Sequence, residues 1–209
     1  MTATKIDLFK QHKQDYTAPR QPVLVDLKPV TYLAVSGSGD PQGEDFQDGV
    51  AALYAVAYTI KMTRKKHGGT DYVICKLEAR WWTGEGDAFL PECPRDQWRW
   101  QLLIRTPEFV AGEELERAHR VLLDKGKTAR VKQVSLIELS EGLCVQMLHL
   151  GPYSEEGTTI MKMMAFARGE NYGFHGKHHE IYLSDPRRVE AEKLKTILRH
   201  PVTPRTGND

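Results

Sequence analysis

Two segments that read as β-strand each carry a glutamate among aromatic residues: Lys76-Leu77-Glu78-Ala79-Arg80-Trp81-Trp82 and His178-His179-Glu180-Ile181-Tyr182-Leu183. Strands favour β-branched and aromatic side chains, and glutamate is depleted in them. A carboxylate held among flat rings can take a proton, orient a water or attract a cationic ligand. Strand side chains alternate between faces. Glu180 therefore shares a face with His178, Tyr182 and Ser184, opposite Ile181 and Leu183. Glu78 shares a face with Lys76, Arg80 and Trp82, opposite Val73, Cys75, Leu77, Ala79 and Trp81. If the apolar faces pack on helices, both carboxylates lie on the helix-free side and meet across a cleft. Glu78 equally reads as a surface acid neutralised by Lys76 or Arg80. Glu180 has no cation in its own strand, which makes it the better candidate for chemistry.

The elements that must position these residues repeat in order. Val30–Val35 reads as a strand. A Gly-rich turn and an amphipathic helix follow, with Glu44 and Asp45 in the helix's first turn and Lys61, Arg64, Lys65 and Lys66 in its last. Tyr72–Trp82 and Trp98–Arg105 complete a strand–helix–strand–strand unit. A separate helix over Glu113–Lys125 and a strand over Val134–Leu139 lead into a second unit. There Leu143–Leu150 is a strand, and Ser154, Glu155 and Glu156 open a helix with Ile160, Met164 and Ala167 on its buried stripe. His178–Leu183 is the next strand, and Arg188–Leu198 is expected to be a final helix. Residues 1–21 read as an N-terminal arm, 22–202 as one domain with modules at about 29–105 and 134–200, and 203–209 as a flexible tail. The fold class is α+β.

Composition bounds the partners. The chain has 209 residues, 40% of them hydrophobic and 27% charged, which is ordinary for a globular domain. A formal net charge of +1 provides no basic field, so no direct nucleic-acid partner is expected. No apolar run is long enough to span a bilayer, and Met1-Thr2-Ala3-Thr4-Lys5 lacks an apolar export core. Cys75, Cys93 and Cys144 are odd in number and far apart, as in a reduced, cytoplasmic protein. No metal and no cofactor are expected: His178 and His179 are adjacent, point to opposite faces and cannot easily share an ion with His175. No Gly-x-Ser-x-Gly elbow is present, and Cys144 sits in an apolar strand, so nucleophilic catalysis is disfavoured.

Several segments together resemble the GyrI-like small-molecule-binding proteins. They are Leu77-Glu78-x-x-Trp81-Trp82, Trp98-x-Trp100, Gly142-Leu143-Cys144-Val145-Gln146, His149-x-Gly151-Pro152-Tyr153, His178-His179-Glu180-Ile181-Tyr182-Leu183-Ser184-Asp185-Pro186 and Lys193-Leu194-Lys195-Thr196-x-Leu198-Arg199-x-Pro201-Val202. The resemblance covers about residues 20–202. It implies two strand–helix–strand–strand modules related by a pseudo-twofold axis, with antiparallel sheets forming a central ligand cleft. Family members fused to DNA-binding domains sense lipophilic, often cationic drugs through a central glutamate, which matches Glu180. No DNA-binding helices precede the module here, so a transcription-factor role is not expected. A gyrase-inhibiting role, known in the family, finds no marked surface in this sequence.

The closer resemblance is to a stand-alone branch that hydrolyses the cyclopropane ring of DNA-alkylating natural products of the yatakemycin and duocarmycin type. This branch uses an aromatic cage and a carboxylate. Arg80 departs from the small or apolar residue expected there. The resemblance implies a lipophilic aromatic ligand, Glu180 as base or water-orienting group, and Tyr182 as donor to the developing phenolate. Glu78, Trp82, Trp98, Trp100, Tyr153, Tyr172 and Phe174 are the ligand-binding candidates. Trp98 and Trp100 equally read as core, Trp81 reads as core, and Tyr54 and Tyr58 read as packing or surface residues. The alternative is a non-catalytic protein that sequesters lipophilic cations.

Overall fold

A computed structural model of the chain describes residues 5–84 and 93–205. The N-terminal arm forms a short helix, α1 (Leu8–Gln11), and a 3-10 turn at Lys13–Tyr16. Strands β1 (Val23–Leu27) and β2 (Val30–Ser38) lead into the long helix α2 (Glu44–Lys66). Strands β3 (Leu77–Thr83) and β4 (Trp98–Arg105) complete the first unit. Helix α3 (Gly112–Asp124) and β5 (Ser135–Leu139) connect it to the second. The second unit holds β6 (Gly142–Leu150), α4 (Glu156–Gly169), a short β7 (Tyr172–Phe174), β8 (His178–Tyr182) and β9 (Lys195–Pro204). Among the described residues no helix is long and apolar enough to cross a membrane.

All strand pairs are antiparallel, and the main sheet runs β1-β6-β9-β8-β3-β4-β2-β5, with β7 on β9. The order is palindromic about the β8–β3 junction: the first strand after the short loop or β7 that follows each unit's helix, β3 in one and β8 in the other, meets its counterpart. The strand that leads into each unit pairs with the other unit, β1 on β6 and β5 on β2. The two units thus share one continuous sheet.

The expected helix over Arg188–Leu198 is not formed. Only Ala191–Lys193 makes a 3-10 turn, and β9 begins at Lys195 and runs through Pro204, past the expected start of the tail. The segment pairs with β6 on one side and β8 on the other, and its residues Thr196–Val202 are buried. Two ladders of backbone hydrogen bonds outweigh a local helix preference worth a few tenths of a kcal/mol per residue, roughly. Residues 206–209 lie outside the described residues.

Register determines the faces, because directly opposed residues point to the same side. Ala79 opposes Glu180 and Leu102, Glu180 opposes Leu198, and Leu198 opposes Met147. This row is the helix-covered face. Leu33, Val35, Trp100, Leu102 and Ile104 pack with Leu53, Val56, Ala57 and Ile60 of α2. Val145, Met147, Leu198 and Val202 pack with Met163 and Ala167 of α4. Between the two helices lie β8 and β3.

Trp100 is fully buried, and its ring lies directly over Gly37 of β2 and Gly49 of α2. A Cβ on Gly49 would stand 2.8 Å from that ring. In a helix, Gly→Ala gains roughly 1 kcal/mol of propensity, whereas overpacking a dense core costs about 1–3 kcal/mol. Gly37→Ala has no helix gain and a closer overlap. Both variants are expected to be less stable, Gly37→Ala more so, as a lower midpoint in urea denaturation.

Candidate functional site

The register separates the two glutamates. Glu78 opposes Ile181 and Glu180 opposes Ala79, so the carboxylates lie on opposite faces of the sheet. Glu78 is on the helix-free side as expected. Glu180 is on the helix-covered side, with His178 and Tyr182. The expected face for β8 was inverted because its apolar residues, Ile181 and Leu183, point away from the helical layer. Ile181 instead lines a cavity on the other face with Tyr16 and Glu78.

On the helix-covered face Glu180 stands where the layer parts between α2 and α4. Its Oε2 accepts a 2.7 Å hydrogen bond from the Tyr182 hydroxyl. His178 Nε2 lies 3.5 Å from its Oε1. Glu156, the first residue of α4, brings a second carboxyl toward it, and donor atoms of Glu156, His178 and Glu180 fall within 4.8 Å of one another. All three residues are buried, Glu180 with 8% of its surface exposed. Burial, and then the charge of Glu180, push the Glu156 carboxyl well above the usual carboxylate range. Glu156 and Glu180 thus face each other as a buried pair of carboxyls. Burial followed by Glu180 likewise raises the Tyr182 hydroxyl, which stays a donor.

Aromatic rings surround this pair. Tyr153 meets Tyr182 edge-on with centroids 5.8 Å apart, and 39% of Tyr153 remains exposed. Burial, then Glu180 and Glu156, bring its hydroxyl up to about 12. On α2, Tyr54 and Tyr58 stack at 6.3 Å. The turn at Asp185–Arg188 stands close enough for its charges to act on both Tyr54 and Tyr153. The result is an acidic spot with a partly exposed aromatic rim, suited to a flat ligand.

The opposite face is a closed polar network beneath a cavity of about 300 Å³. Glu78 is fully buried and accepts from the hydroxyls of Tyr16 and Tyr32, each at 3.0 Å. His179 bridges it to Glu141, with Nε2 3.1 Å from Glu78 and Nδ1 2.9 Å from Glu141. Arg199 lies 3.5 Å from Glu141. The N-terminal arm closes this face: Asp15 pairs with Arg105 at 2.7 Å, and its carbonyl accepts from Arg199 at 2.8 Å. Every acid at the centre of this network has a cation or donors. The arm is a structural strap, and the cavity lies over this paired network. On the other face the acids face one another.

Known proteins bear on what such a site does. The model of the GyrI-like small molecule binding domain matches residues 109–203. An uncharacterized conserved protein from Listeria innocua is 43% identical, with 95% of this chain and 100% of that one covered and a TM-score of 0.87. The chain belongs to the GyrI-like small-molecule-binding family. A hydrolase from the same organism is 42% identical, covering 96% of this chain and 100% of its own, with a TM-score of 0.85. The C-terminal domain of EcmrR, at 10% identity and TM-score 0.56 over 88% of this chain and 98% of that one, shares the fold alone. Among curated proteins none matches the chain significantly.

In this GyrI-like chain the candidate residues separate into groups. Glu180, Tyr182 and Tyr153 come together. Trp98 is half-buried beside Trp81, its ring edge-on at 5.7 Å, on the helix-covered face with them. Trp100 is core rather than cage. Trp82 lies on the other face from Glu180, with the Lys177 ammonium 3.8 Å from its ring centroid. Glu78 lines the cavity on that face and is paired with residues distant in sequence; Arg80 reaches Gln101 and Lys76 reaches the Leu183 carbonyl. Tyr172 packs with the α4 core. Phe174 stacks on His200 at 4.1 Å, and His200 lies 5.9 Å from His178, so Phe174 backs the site from a second layer.

Sequence reasoning missed Glu156 and His178. Glu156 read as a first-turn helix acid, since nothing local links it to β8. His178 was set aside together with His179, yet the spacing His178-x-Glu180-x-Tyr182 already puts three polar groups on one strand face.

Proposed function

We propose that the protein binds flat lipophilic ligands over Tyr153 and Tyr182 and opens the cyclopropane ring of DNA-alkylating natural products of the yatakemycin and duocarmycin type. This would be a detoxifying hydrolysis. The observation that carries it is a carboxylate, Glu180, hydrogen-bonded by Tyr182 beneath a partly exposed aromatic rim. The 42% identity over nearly the whole chain to a protein described as a hydrolase supports it.

The chemistry asks little of the protein. The oxygen of a water attacks the methylene carbon of a cyclopropane fused to a conjugated dienone. The strained C–C bond breaks, and its electron pair moves through the ring to the carbonyl oxygen, which becomes a phenolate. Glu180 takes the proton lost by the water, and that proton returns to the phenolate. Aromatisation drives the step. The residues position the water and ligand and hold charge away from bulk solvent.

The test is incubation of the purified protein with a cyclopropane-bearing alkylator, following the hydrated product by mass spectrometry. Turnover above the buffer rate is expected. Binding without product would replace this reading with the non-catalytic one. That second reading draws on the same site, because two buried carboxyls and open rings also attract a lipophilic cation. A binding constant that depends on positive ligand charge would favour it.

Tyr182→Phe removes the donor on Glu180 and leaves the ring in place. A hydrogen bond to a charged group is worth about 1.5–3 kcal/mol, so kcat should fall roughly ten- to a hundredfold with KM nearly unchanged. Steady-state kinetics on the variant checks this.

A further inference from the structure

Glu156, His178 and Glu180 are drawn from two elements, the start of α4 and alternate positions of β8, and converge on one point. The geometry points to an internal site for a divalent transition-metal ion, held by the two carboxylates and the imidazole. One donor atom from each falls within 4.8 Å of the others, and the His178–Glu180 pair is already at 3.5 Å. Donors around a tetrahedral zinc at about 2.0–2.2 Å stand about 3.4 Å apart, so small rotations of the terminal carboxyls close the set. Mixed nitrogen and oxygen donors suit Zn²⁺, Co²⁺ or Mn²⁺ better than Ca²⁺ or Mg²⁺.

Charge and hydrogen bonding favour an ion. Glu156 has 6% of its surface exposed, and its Oε1 has no hydrogen-bond partner. Two carboxyls buried against each other, with an imidazole beside them, present three donor atoms that a positive ion can take up together. A divalent ion satisfies both, uses the free Oε1, and takes the imidazole as its third ligand. Tyr182 then acts as an outer hydrogen-bond donor that fixes the Glu180 carboxylate.

The inference does not rest on ring opening. An ion on Glu180 occupies the lone pairs that a base would use, so metal-bound and catalytic forms are alternatives and added zinc should inhibit turnover. Cobalt(II) chloride, added to the metal-stripped full chain, is the probe, and the visible spectrum is the readout. One equivalent should bind and give d–d bands, displaced by zinc(II). Glu156→Gln and His178→Gln should each weaken binding at least about tenfold. His67→Gln, at an exposed position on another surface, should bind as wild type. Absence of a one-to-one cobalt spectrum in the wild-type protein overturns the site. So does binding unchanged in the folded variants, or binding lost with His67→Gln. Circular dichroism establishes which variants are folded, and the wild-type titration decides even if neither is.

Discussion

Glu180→Gln should abolish ring opening while leaving ligand binding intact. General-base catalysis contributes about 10²–10⁴ in rate, and the amide cannot accept the proton released by water. The substitution is nearly isosteric and replaces one of two facing carboxyls by a neutral amide that still accepts hydrogen bonds. Folding should therefore survive, and the Tyr182 hydroxyl can still donate to the amide oxygen. The expected pattern is kcat down by at least about a hundredfold and the dissociation constant for the hydrated product within a few fold of wild type. Product titration by calorimetry and single-turnover mass spectrometry separate the two quantities. Retained turnover would remove Glu180 from the base role. A parallel loss of binding and turnover would make it a binding residue, as the cation-sequestering reading requires. Glu156→Gln separates the two carboxyls further: it keeps a neutral hydrogen-bonding group opposite Glu180, so on the ring-opening reading it should retain most activity.

What could be read from the chain follows the range over which each signal acts. The alternation of Trp98, Trp100, Leu102 and Ile104 is local, and β4 spans Trp98–Arg105. The charge-capped periodic run from Glu44 to Lys66 is likewise α2. Pairing in the sheet is not local. Lys195–Pro204 is a strand because β6 and β8 flank it, and nothing within it announces those neighbours. The site divides the same way. Glu180 and Tyr182 are two positions apart on one strand and their contact follows from alternation alone. Glu78 was weighed against Lys76 and Arg80, its neighbours in sequence. Its real partners, Tyr16, Tyr32 and His179, lie 62, 46 and 101 positions away. The face of β8 is inverted for a related reason: its polar residues are expected on the helix-free side, whereas Glu180 and His178 are buried polar groups on the helix-covered side.

His179→Ala should be the most destabilising single change in the molecule's polar interior. The ring is fully buried and joins two glutamates. Removing it leaves Glu78 with only hydroxyl donors and Glu141 with Arg199 alone. Breaking a buried pair by deleting one partner costs about 3–5 kcal/mol, which for a chain of this size lowers Tm by roughly 6–20 °C. The pH dependence identifies the mechanism. Burial opposes the charge of Glu141, but His179 and then Arg199 outweigh it and hold the carboxyl at about 2, below its ordinary 4.5. A lowered carboxyl adds stability above 4.5 that is lost as pH falls from there toward 2. For His179 burial lowers the pKa, while Glu141 and Glu78 more than compensate and raise it above the ordinary 6.5. A raised imidazole adds stability that is complete below 6.5 and is lost as pH rises through its folded value. Both contributions are therefore full only between about 4.5 and 6.5. The stability gap between wild type and His179→Ala, from urea denaturation across pH, should be widest in that window and narrow on both sides. A gap independent of pH would mean that the ring acts through packing, and that Glu141 is not held ionised by it.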